Sequence, residues 1–134
     1  MKYILNTATC IDLVRGEQEV VLHMESQSPD DCGISLVTAY ELYSGVLKCK
    51  KPREERLKVE LLLRTVHAVE FDQASAWRAA QVRHDLEGMG QRIGPYDLLL
   101  AGQALSRDVI LVTSNSAEFS RVPGLRLENW RRGR

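Results

Sequence analysis

The sequence predicts an α/β domain with a mostly parallel central sheet flanked by helices. Three observations lead there. Short apolar runs, such as Tyr3–Leu5 and Val109–Val112, alternate along the chain with stretches of helical periodicity. Strands separated by helices must be joined by crossovers, which makes the sheet parallel and covers both of its faces. The length, 134 residues, suits one hydrophobic core and leaves no room for two, so residues 1–134 are read as a single domain.

Each element follows in order. Tyr3–Leu5 reads as a buried strand, and Cys10–Arg15 as a short helix stopped by Gly16. Glu17–Ser26 supports a second helix, and Gly33–Val37 a second strand. Thr38 opens a helix to about Leu47, with Glu41 three residues on in the pattern of a capping box. Glu54–Arg64 is helical, and Val66–Phe71 is the third strand. Asp72 is a good N-cap for a long helix ending near Gly88. Pro95 suits the first turn of the next helix, through about Ser106. Its Leu98–Leu105 stretch is apolar nearly all round, which makes it the most buried helix expected. Val109–Val112 and Leu125–Leu127 complete the strands.

Composition narrows the function. Eighteen basic and eighteen acidic residues cancel, against the surplus of positive charge expected of a general nucleic-acid coat. The Lys48–Arg56 basic cluster and the terminal Arg131, Arg132 and Arg134 fit solvated surface at least as well as an RNA-facing patch. No apolar run approaches the roughly 20 residues of a membrane span. Cys10, Cys32 and Cys49 are odd in number and show no metal spacing, and the amino terminus lacks a signal-peptide pattern. A reduced, cytoplasmic protein is expected.

In a parallel sheet of this kind, ligands bind at the carboxyl ends of the strands, at a topological switch point. Asn6 and Thr7 end the first strand; Thr113, Ser114 and Asn115 end the fourth. Glu41 and Asp97 lie near helix starts and fit no core stripe. Taken singly, each has an ordinary explanation: Glu41 as the partner of a Thr38 cap, Asp97 as a helix N-terminal charge. Together with the Asn115–Glu118 region, they would converge at one end of the sheet. Oxygen ligands gathered this way suit Mg²⁺ or Mn²⁺, which can activate water and stabilise charge on a phosphodiester.

The stretches Tyr3-Ile-Leu-Asn-Thr7, Ile34-Ser-Leu-Val-Thr-Ala-Tyr-Glu-Leu-Tyr-Ser-Gly45, Ile93-Gly-Pro-Tyr-Asp-Leu-Leu-Leu-Ala-Gly102 and Leu111-Val-Thr-Ser-Asn-Ser-Ala-Glu-Phe119 resemble a PIN domain. More narrowly, they resemble VapC-type toxins of bacterial toxin–antitoxin pairs, as does Val122-Pro-Gly-Leu-Arg-Leu-Glu-Asn-Trp130. Each motif is weak alone, whereas four in order over nearly the whole chain are specific. The resemblance implies a PIN-like (Rossmann-like) fold and a Mg²⁺-dependent endoribonuclease that cuts structured RNA such as tRNA or rRNA. It also implies a homodimer inhibited by a small antitoxin protein. The family's second and third acids map to Glu41 and Asp97, and its fourth region to Asn115 and Glu118. Thr113 matches a hydroxyl beside the metal, and Thr7 and Ser35 are further hydroxyls with weaker support.

Asn6 departs from the pattern, because the family's first strand normally ends in Asp, a central metal ligand. Asn retains one carbonyl oxygen and removes a full charge, and Mg²⁺ prefers anionic ligands. The expected site is therefore Asn6, Glu41, Asp97, Asn115 and Glu118, with metal binding weakened and activity reduced or lost. The intact remainder favours an introduced change over a divergent, silent homologue.

Two rival readings stand beside the nuclease. One is a silent PIN-fold module that binds an antitoxin or RNA, with apolar positions near 17–26 and 54–64 receiving a partner helix. The other is a generic nucleotide-binding fold, disfavoured by the missing phosphate-binding glycine loop; Gly88–Gly94 follows a helix and has the wrong spacing. His23, His67 and His84 carry no nucleophile pairing, and Trp77 and Trp130 are expected to pack. Arg83 and Arg92 are within reach of RNA phosphates near Asp97, although a solvated face accounts for them more simply.

Overall fold

The computed structural model describes residues 1–132; the expected basic end at Arg134 lies outside the described residues. Five strands form one all-parallel sheet: β1 (Tyr3–Leu5), β2 (Cys32–Ser35), β3 (His67–Val69), β4 (Ile110–Val112) and β5 (Leu127–Glu128). Their order is β3-β2-β1-β4-β5. The chain builds outward from β1 to β3, then returns to place β4 on the other side of β1. The switch point thus falls between β1 and β4, where Tyr3, Ile4 and Leu5 align with Ile110, Leu111 and Val112.

Seven α-helices cover the two faces among the described residues: α1 (Thr7–Arg15), α2 (Gln18–Glu25), α3 (Leu36–Lys48), α4 (Pro52–Thr65), α5 (Gln73–Gly88), α6 (Pro95–Arg107) and α7 (Ser116–Phe119). Alternation along each strand divides the core. Tyr3, Leu5 and Val112 pack with Val20, Leu42, Val46, Val59 and Trp130 on one face. Ile4 and Leu111 pack with Val82, Leu86, Leu100, Ala104 and Phe119 on the other. Near-complete burial of β1, β2 and most of β4 explains why these strands read as apolar runs without alternation.

Two glycines set how the helices end and pack. Gly16 ends α1 at φ 76°, where its N–H caps the carbonyls of Asp12 and Leu13. At Gly102, an added Cβ would lie 2.5 Å from the Ala79 backbone, so its absence lets α5 and α6 pack closely. Buried Leu100–Ala104 bears out the expectation for α6.

Several expected boundaries move. The first helix starts at Thr7 rather than Cys10, because Asn6 caps it. The second strand is Cys32–Ser35 rather than Gly33–Val37: the Ser35 hydroxyl accepts from Val37 N at 3.1 Å and starts α3 at Leu36. Thr38 is therefore a fully buried helical residue and not a cap. The third strand is shorter than expected, and the fifth sits at Leu127–Glu128 rather than Leu125–Leu127. Helix α7 and the 3₁₀ turns at Pro29–Asp31 and Trp130–Arg132 were not anticipated, being too short to show periodicity. Trp130 is buried, stacked on His23 at 4.5 Å, whereas Trp77 is 67% exposed, contrary to its expected packing role. No helix among the described residues is long and apolar enough to cross a membrane.

Candidate active site

The parallel sheet delivers the ends of β1 and β4 side by side, and polar residues follow each. Asn6 is 3% exposed and both ends of its amide are engaged. Its Oδ1 accepts from Thr9 N at 2.9 Å, capping α1, and its Nδ2 donates to Thr113 Oγ1 at 2.7 Å. Thr113 Oγ1 also accepts from Asn115 N at 2.9 Å, which shapes the turn leaving β4. One amide and one hydroxyl thus lock the two central strand ends together.

Further hydrogen bonds lie on either side of this lock. On the β1 side, Thr7 Oγ1 donates to Glu41 Oε1 at 2.7 Å and lies 3.2 Å from Thr38 Oγ1. Because α3 begins at Leu36, Glu41 stands beyond the first turn and is not tied up as a capping-box partner. On the β4 side, Asn115 Nδ2 donates to Glu118 Oε2 at 2.7 Å. Glu118 Oε1 accepts from the Gly94 N–H at 2.8 Å, joining α7 to the entry of α6.

Asp97 sits on the first turn of α6, half-buried, close to Glu118. Its pKa is pushed up to about 6 by burial, by the charge and hydrogen bonding of Glu118, and by the charge of Glu41. Such a carboxylate holds its negative charge against two like neighbours, which favours a cation in their midst. Beside the acids, the Tyr40 and Tyr96 rings lie 5.7 Å apart with their hydroxyls at 3.5 Å. The Tyr96 phenol is held above its usual range by the Tyr40 hydroxyl, then by burial and Glu41.

The structure therefore gathers Asn6, Glu41, Asp97, Asn115 and Glu118 at one end of the sheet. Asn6 and Asn115 act as hydrogen-bond donors there; Thr7 holds Glu41, and Asn115 and the Gly94 N–H hold Glu118. Ser35 serves as the α3 cap and does not reach the acids through any described hydrogen bond. Sequence reasoning missed the Gly94 N–H and the Tyr40–Tyr96 pair. The Gly94-Pro95 helix start was a signal for the former, since free N–H groups there attract carboxylates; nothing local signalled the latter.

The donor chemistry suits a hard divalent ion, as Glu41, Asp97 and Glu118 offer only oxygens. Among the described residues, however, no three His, Cys, Asp or Glu side chains converge into a ready metal cluster. A neutral residue at position 6 leaves that corner without an acid.

Comparison with known proteins agrees with the fold and the sequence motifs. The PIN domain family model matches residues 3–125. The tRNA(fMet)-specific endonuclease VapC of Salmonella typhimurium is 33% identical over 97% of this chain and 98% of its own length. The protein of the same description from Shigella flexneri is 34% identical with the same coverage. Ribonuclease VapC2 of Rickettsia felis is 32% identical, again over 97% of this chain and 98% of its own. Among solved structures, DNA-bound VapBC from Salmonella typhimurium superposes with a TM-score of 0.92 at 32% identity, covering 97% of this chain and 98% of that one. VapBC2 from Rickettsia felis, bound to a promoter DNA fragment, gives 0.91 at 32% identity, covering 97% and 99%. Full-length similarity at this level, joined to the parallel sheet and its polar switch point, means that the chain belongs to the PIN-domain family, as a VapC toxin of the VapBC toxin–antitoxin type.

Proposed function

We propose that this chain carries the site of a metal-dependent endoribonuclease acting on structured RNA, with Asn6 lowering its activity. The observation that carries the reading is the pair of hydrogen-bonded groups at the ends of β1 and β4, Thr7 with Glu41 and Asn6–Thr113–Asn115 with Glu118, with Asp97 close to both acids. Glu41, Asp97 and Glu118 would hold the ion, with Asn6 and Asn115 at its margin. A bound Mg²⁺ or Mn²⁺ supplies charge neutralisation and water activation at a phosphodiester. The chain's own groups orient the acids: Thr7 holds Glu41, while Asn115 and the Gly94 N–H hold Glu118. Position 6 supplies a fold-stabilising amide and no negative charge, which supports reduced metal affinity.

The relatives named for tRNA(fMet) make tRNA the substrate class to test first, with rRNA next. A small antitoxin is the proposed partner, since the structural neighbours include VapBC complexes. The groove lined by Leu13, Val14, Val21, Leu61 and Leu62, between α1, α2 and α4, supports it as a seat for a partner helix. Exposed Leu36, Tyr40 and Leu47 on α3 support a homodimer in the same way.

The deciding experiment compares RNA cleavage by the chain and by Asn6→Asp, in Mg²⁺, Mn²⁺ or EDTA, with tRNA and total RNA. Metal-dependent cleavage confined to or much faster in Asn6→Asp is expected. Equal cleavage by both would remove the assigned role of the missing charge. Silence from both folded proteins would favour the alternative, a catalytically silent module that binds an antitoxin or RNA; that alternative rests on the same fully engaged Asn6 amide.

A further inference from the structure

A cleft of about 290 Å³ opens between the end of α5 and the start of α6. Its apolar surface comes from Leu86, Ile93, Pro95 and Leu98. Arg83 and Arg92 stand on it as well. Arg83 is engaged by Glu87, the cleft's acidic residue, at 3.3 Å. Arg92 forms no ion pair among the described residues, and Arg121 Nη1 holds its carbonyl at 2.8 Å. Gln91 adds an exposed amide, and its own N–H is fixed to the Leu86 carbonyl at 2.8 Å.

Position makes this cleft more than a surface dent. Pro95 and Leu98 lie one turn apart on α6, and Asp97, about 100° round the helix from Leu98, brings its carboxylate to 3.3 Å from where a Cβ on Gly94 would stand. Gly94, whose N–H grips Glu118, lies between Ile93 and Pro95. A chain of nucleotides crossing the three acids would therefore meet the cleft next, within about one helix width of 10–12 Å.

We propose that the cleft receives an unpaired nucleobase of the RNA, next to the nucleotide that lies over the acids, with Arg92 against its face or flanking phosphate and Gln91 at its edge. The inference rests on the nuclease reading above and adds a specificity pocket to it. A flat base fits an apolar floor with a guanidinium at the rim, because bases stack on apolar and Arg surfaces. A paired base is buried in its own stack and could not enter, so the pocket selects loops or splayed junctions. The chain's balanced charge makes the free Arg92 guanidinium notable, since it adds positive charge beside an acidic site that repels phosphate.

The test uses the full chain in EDTA, so that binding is read without turnover. Hairpin RNAs carry one photoreactive iodouridine, walked through an unpaired loop, and crosslinked peptides are mapped by mass spectrometry. Crosslinks from a single loop position to residues 83–98 are expected. Arg92→Ala, an exposed change, should weaken binding of that hairpin about tenfold, on the scale of one stacked base. An abasic nucleotide at the crosslinking position should weaken the parent by the same factor and add nothing to Arg92→Ala. Crosslinks that map elsewhere, or abasic and Arg92→Ala losses that multiply, overturn the pocket. Cleavage by Asn6→Asp keeps the two readings apart. If that variant cuts RNA while crosslinks miss the cleft, the pocket alone fails. If it does not cut and crosslinks still fall on 83–98, the pocket stands as an RNA-binding feature and the nuclease reading fails.

Discussion

Replacing Asp97 with Asn should stabilise the metal-free protein at neutral pH. The side chain keeps its shape and loses the charge that burial, Glu118 and Glu41 oppose. Raising this carboxyl from 3.8 to about 6 corresponds to roughly 3 kcal/mol at about 1.4 kcal/mol per unit. Solvent screening of a half-exposed group reduces this to about 1–2 kcal/mol. The sign follows from proton binding. The folded state holds the Asp97 proton more tightly than the unfolded chain, so the parent loses stability as pH rises from 3.8 to about 6 and carries the full penalty above that. Asn does not titrate. The advantage of Asp97→Asn should thus be near zero at pH 4 and reach about 1–2 kcal/mol at pH 7.5. Urea unfolding in EDTA at both pH values measures it, and a thermal melt should show a rise of about 4–8 °C at the higher pH. An equal effect at both pH values, or destabilisation at pH 7.5, would refute the claim that like charges crowd this acid. Activity should move the other way: in an Asn6→Asp background, Asp97→Asn should slow RNA cleavage at least about 100-fold, the scale of losing one electrostatic stabiliser.

Asn6→Ala removes both the α1 cap and the bond to buried Thr113, and should cost about 2 kcal/mol in urea unfolding. Asn6→Asp should gain more thermal stability than its parent on adding Mg²⁺, because an ion that binds only the folded state stabilises it by mass action; equal gains would show that position 6 does not govern the ion. Gly102→Ala drives a methyl to 2.5 Å from the Ala79 backbone, so a loss of about 2 kcal/mol or more is expected in urea midpoint analysis. Full tolerance would mean that the α5–α6 spacing relaxes freely.

The local sequence determined what short-range physics controls. Apolar runs bounded by helices implied strands and crossovers, and Asp72 and Pro95 marked helix starts that the structure keeps. The residues now gathered at the sheet end were legible as polar positions following strands or starting helices, and their spacing carried the family resemblance. Tertiary structure decided the rest, because it depends on partners distant in the chain. Ser35, and not Thr38, caps α3, since β2 ends where its pairing with β3 ends, and this releases Glu41 toward Thr7. Trp77 is exposed because the packed face of α5 is set by Ala79, Val82 and Leu86, which meet α6 and the sheet. The sequence showed an Asn where an acid was expected; the fold shows that this amide also joins β1 to β4 across 107 residues of chain. Parallel pairing brings those strand ends together, and only that long-range contact turns separate polar residues into one electrostatically coupled site.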